Sequence, residues 1–75
     1  MFQEIKTVHE QRPFQPFVIH LTDGMAVYVP TASYLAIRDE TRSMFVWNLK
    51  DRGYTIINPE TVARISFEEQ TVGSG

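Results

Sequence analysis

Phe2, Ile5, Val8 and His9 recur at spacings of three and four, with Gln3, Glu4, Lys6, Thr7 and Glu10 filling the positions between. That helical period predicts a short amphipathic helix over about residues 2–11. A helix this short is unstable alone in water, so it forms by docking its apolar face on a sheet. Pro13 and Pro16 stop it, since neither donates a backbone hydrogen bond and each biases the residue before it toward extended geometry. From Phe17 the period changes to two. Phe17, Ile19 and Leu21 point one way, Val18, His20 and Thr22 the other, which predicts a strand over 17–22. Asp23-Gly24 is a hairpin signal, because Gly enters positive φ without steric penalty.

The alternation continues in short runs. Strands are predicted over 25–29, closed by Pro30, and over 35–38, after a Thr31-Ala32-Ser33 stretch suited to one helical or 3₁₀ turn. The run 43–49 is apolar on both faces, with Phe45, Trp47 and Leu49 on one and Met44 and Val46 on the other. Lys50-Asp51-Arg52-Gly53 reads as a hairpin loop, 54–57 as the returning strand, and Asn58-Pro59-Glu60 as a turn in which Glu60 suits the first turn of a short helix. The run 62–68 closes the series, with Ala63, Ile65 and Phe67 on one face and Arg64, Ser66 and Glu68 on the other. Residues 70–75 lack periodicity and read as a flexible tail on a single domain over 1–69.

One helix followed by five or six close-spaced strands predicts a mainly β fold with an N-terminal helix. Such a strongly bent antiparallel sheet protects its edges by curling into a small barrel of SH3-like or Sm-like type. The expected core is Ile5, Phe17, Ile19, Leu21, Val27, Leu35, Val46, Ile56, Ile65 and Phe67.

Composition adds a constraint on assembly. A chain of 75 residues is 43% apolar yet contains no cysteine, and its two histidines are too few for a structural zinc site. Small domains compensate for a thin stability margin with disulfides, a metal or a partner subunit, so elimination favours self-association. No cofactor or metal is expected. No segment approaches the length needed to cross a bilayer, and the amphipathic N-terminus is unlike a signal peptide, so a cytoplasmic setting is expected. The net charge of −2, with seven basic residues dispersed among nine acids, argues against a dedicated nucleic-acid binder.

Candidate chemistry is sparse. His20 is a possible base or polar contact at mid-strand, against its plainer reading as a half-exposed strand residue. Asp23 is accounted for by turn chemistry, in which the carboxylate bonds nearby backbone. Ser33, Ser43 and Ser66 have no nucleophile-elbow context or evident partner base. No catalytic, cofactor-binding or metal residue is assigned, and the chain reads as non-enzymatic. The aromatic residues say more. Phe45, Trp47 and Tyr54 flank one hairpin and form either a second buried face within the chain's own core or a candidate interface with a protein partner or a second copy. Beside Arg38, Arg42 and Arg52 they could instead stack the bases of single-stranded nucleic acid.

The stretch Arg12-Pro-Phe-Gln-Pro-Phe-Val-Ile-His-Leu-Thr-Asp-Gly24 resembles the R-P-F-x-P-F-x-I-x-L-x-D-G signature of short bacterial proteins of planctomycete type, a family that implies no activity. More loosely, the leading helix, the first strand ending in Thr22-Asp23-Gly24 and the late strand resemble Sm-like proteins, which include bacterial RNA chaperones. That likeness implies a small barrel and, as the alternative to protein association, RNA binding. No Lys/Tyr-His signature precedes the last strand, where Ile57-Asn58-Pro59-Glu60-Thr61 stands instead.

Overall fold

A computed structural model of the chain describes residues 1–48 and 52–67. The expected Leu49 strand end, most of the hairpin loop at Lys50-Asp51, Glu68 and the tail over 70–75 lie outside the described residues. The helix α1 (Phe2–Glu10) buries Phe2 and Ile5 and ends at Gln11, whose extended backbone (φ −66°, ψ 144°) leads into the proline-rich segment. The strands are β1 (Phe17–Leu21), β2 (Ala26–Val29), β3 (Leu35–Arg38), β4 (Ser43–Trp47), β5 (Tyr54–Ile57) and β6 (Val62–Phe67). Single 3₁₀ turns, Ala32–Tyr34 and Pro59–Thr61, lead into β3 and β6.

The molecule is therefore mainly β with one N-terminal helix. The six strands among the described residues form two three-stranded antiparallel sheets, ordered β2-β1-β6 and β3-β4-β5. Pro30, which lacks an N–H, and the 3₁₀ turn that follows interrupt the ladder between β2 and β3. The β1–β2 turn is built as its residues require: Gly24 takes φ +93°, and Asp23 Oδ1 accepts the Met25 backbone N–H at 2.9 Å. In the second 3₁₀ turn the Asn58 side chain accepts the Glu60 N–H at 3.0 Å, a capping bond.

One buried cluster joins α1 to both sheets: Phe2 and Ile5 from the helix, Phe17, Ile19, Val27, Val29 and Val62 from the first sheet, and Leu35, Met44, Val46 and Ile57 from the second. Leu21 and Ile65 pack against it while only partly buried. Two expected core residues are not there: Ile56 is 66% exposed and Phe67 46% exposed. For Ile56 the cause is register. Met44 pairs with Ile57 and Phe45 with Ile56, so the second of two adjacent isoleucines faces inward. Phe67 pairs with Phe17 but stands at the last position of β6, where only part of its ring is covered.

A bulge corrects the expected facing of β6. His20 pairs with Arg64 but Leu21 pairs with Val62, so Ala63 is the extra residue. Val62 is thereby turned into the core, and Ala63, expected on the same face as Ile65 and Phe67, is exposed. The helix is fixed on the core side of the second sheet by three contacts. His9 Nε2 donates to the Ala32 carbonyl at 2.9 Å, Lys6 Nζ lies 3.0 Å from Asp39 Oδ1, and the Arg42 guanidinium sits 4.7 Å from the Phe2 ring centroid. Residues 9, 6 and 2 thus meet residues 32, 39 and 42, so α1 runs antiparallel to β3.

Candidate interaction surface

With α1 and the core on one side of β3-β4-β5, the alternation of each strand sends its remaining side chains to the other side. On β4, Met44 and Val46 are buried, while Phe45 is half-buried and Trp47 is 52% exposed. The cross-strand pairs Ala36↔Phe45 and Phe45↔Ile56 make one row across the outer face, and Trp47↔Tyr54 begins the next. Every residue in these rows is uncharged.

The rings hold one another in place. Trp47 and Tyr54 are stacked, with centroids 5.9 Å apart and an interplanar angle of 9°, and Phe45 meets Tyr54 edge-on at 5.9 Å and 86°. Both are favoured aromatic arrangements and directly opposed or diagonal cross-strand contacts. Beside them a shallow groove of about 400 Å³ is lined by Ser33, Tyr34, Ala36, Phe45, Trp47 and Tyr54. A second hollow of about 560 Å³ lies across Trp47 and Tyr34 toward the first sheet, bordered by Tyr28, Pro30 and Thr55. No charged side chain lines either depression among the described residues.

The sequence-predicted interface residues Phe45, Trp47 and Tyr54 therefore come together on one face. Ile56, expected in the core, joins them, as do Ala36 and Tyr34. Strand periodicity could not find these additions, because they depend on which residue of β3 and β5 opposes Phe45. The candidate nucleic-acid contacts Arg38, Arg42 and Arg52 are not brought together. Arg38 and Arg42 stand at the β3–β4 turn, and Arg42 is engaged over Phe2 on the helix side. Arg52 lies in the β4–β5 connection, at the other end of β4.

Sequence reasoning also missed a partner for Ser66. Its Oγ shares a 2.8 Å hydrogen bond with His20 Nε2 on the outer face of the first sheet, where Val18 pairs with Ser66. Both residues are half-buried, and the bond joins β1 to β6. Among the described residues no carboxylate bonds the other ring nitrogen of His20, and no group of three or more His, Asp or Glu is arranged to hold a metal ion. No helix among them is long and apolar enough to cross a membrane.

Comparison with known proteins finds no match: no family, no curated protein and no solved structure corresponds to this chain.

Proposed function

We propose that this chain is a non-enzymatic association domain whose working surface is the outer face of β3-β4-β5. The observation that carries this reading is that Phe45, Trp47, Tyr54 and Ile56 form a contiguous uncharged patch, while the buried cluster is built without them. Contiguous exposed apolar surface on a small domain marks an interaction site rather than a packing need. Aromatic side chains suit such a site because each covers a large area with few rotatable bonds to immobilise.

The test separates recognition from folding. In dilute solution the Trp47→Ser/Ile56→Ser double variant is expected to lose only about 1 kcal/mol, the worth of the Trp47–Tyr54 stack, and so to melt within about 8 °C of wild type. A melting point lower by about 10 °C or more would mean that the face stabilises the fold itself, and the reading fails. The competing reading, an Sm-like module for RNA or other single-stranded nucleic acid, draws on the same rings as base-stacking platforms. It lacks convergent cations, because the three arginines stand at opposite ends of β4. An anisotropy titration with single-stranded RNA at low salt is expected to show no saturable binding; binding that weakens steeply with salt would favour that alternative.

A further inference from the structure

We infer that the occupant of this face is a second copy of the chain, packed face to face about a two-fold axis that runs above β4 and parallel to it. This rests on the association reading and names its partner. Three observations carry it, namely the placement of the patch, its charge and its relief.

The outward-facing apolar side chains come from all three strands, including the central one: Ala36 from β3, Phe45 and Trp47 from β4, Tyr54 and Ile56 from β5. Edge-to-edge pairing through β5 would leave Phe45 and Trp47 uncovered, whereas stacking a second sheet about 10 Å above covers the whole patch. Charge points the same way. In a two-fold contact the same patch meets itself, so a charge close to the axis faces its own sign. The rows nearest the axis, Ala36–Phe45–Ile56 and Trp47–Tyr54, hold no charge, and Arg38, which shares this face, stands off the axis at the end of β3.

The relief is self-complementary. The row Ala36–Phe45–Ile56 runs from a small side chain in the groove lining, through a ring, to Ile56, the most exposed large apolar side chain among the described residues. A rotation of 180° about an axis over Phe45 and along β4 exchanges the two ends of the row. Each copy's Ile56 then descends toward the other's Ala36, and each Tyr54 meets the partner's Tyr34. With somewhat more than about 100 Å² each from Trp47, Tyr54 and Ile56 and the rest from Phe45, Ala36 and Tyr34, the face supplies roughly 500 Å² per copy. The pair thus buries roughly 1,000 Å², the lower bound for a specific interface, which fits a weak, reversible dimer.

Sedimentation velocity on the full chain between about 5 and about 200 μM reads the outcome, with Trp47 emission as a second signal. The mass is expected to rise toward the dimer, and the emission to shift blue as the indole is covered. Ala36→Asp and Ile56→Lys, both at exposed positions, should each weaken the dimer by about tenfold or more. Combined in one chain, they place the introduced ammonium of one copy over the introduced carboxylate of the other. The double variant should then dimerise more tightly than the two separate losses add up to, by a margin that salt erodes. Strictly additive losses, or single variants that dimerise like wild type, overturn the arrangement. A wild type that stays monomeric at the highest concentration overturns the second copy as occupant, while the association reading stands or falls on the dilute melting comparison.

Discussion

Gly24 sits at φ +93°, and a Cβ placed there would meet no atom within 4 Å. Space is therefore not the constraint; the backbone conformation is. Gly24→Val is expected to cost about 1–3 kcal/mol, the range for a β-branched residue held at positive φ. Gly24→Asn should cost less, because asparagine tolerates left-handed geometry, and urea denaturation of the two variants checks the order. A second pair tests burial. Ile19 is fully buried and Ile56 is 66% exposed. Ile19→Ala should lose about 2–5 kcal/mol, while Ile56→Ala in dilute solution should stay within about 0.5 kcal/mol of wild type. Comparable losses at the two sites would contradict the inward facing of Ile57.

Among elements, β6 is held to β1 by its ladder and by the His20–Ser66 hydrogen bond across it. His20→Ala and Ser66→Ala should couple by about 0.5–1.5 kcal/mol in a double-mutant cycle, and a coupling near zero would mean that the bond contributes nothing beyond the ladder. The second 3₁₀ turn offers a cleaner local test. Asn58→Ala removes the bond to the Glu60 N–H and is expected to cost about 0.5–2 kcal/mol in thermal or chemical denaturation. Elements like these mark how far the sequence can be read. The helix, all six strands and both 3₁₀ turns are legible, because the change from helical to strand period and the punctuation by Pro13, Pro30, Gly24 and Asn58-Pro59 act locally. Inward or outward facing is legible only where polar residues alternate with apolar ones, as in β1. It fails at Ile56-Ile57, where both neighbours are apolar, and at Val62-Ala63, where a bulge set by the pairing with His20 and Leu21 shifts the phase. The interface residues on β4 could be read from that strand alone, but their neighbours Ala36 and Ile56 required the cross-strand register.

At the scale of the whole molecule, one buried cluster draws on the helix and both sheets, so neither sheet owns a separable core. Unfolding is therefore expected to be a single cooperative transition, with far-UV circular dichroism and Trp47 fluorescence tracing the same curve in urea. Separated midpoints would show that the two sheets melt independently. The two-faced character of β4 has a further consequence, for the route by which the chain reaches this state. A slip of one residue in β4 would carry Phe45 and Trp47 inward and Met44 and Val46 outward, exchanging one apolar set for another. Burial alone penalises that error weakly, unlike in β1, where the same slip would bury His20. Discrimination falls instead on volume, since the inward positions fit Met and Val rather than two rings, and on the turns that clamp the strand: Arg42 at φ 53° before it, and the Asn48 N–H bonded to the Gly53 carbonyl at 2.8 Å after it. The apolar outer surface thus leaves the fidelity of folding, more than the finished structure, dependent on two short connections.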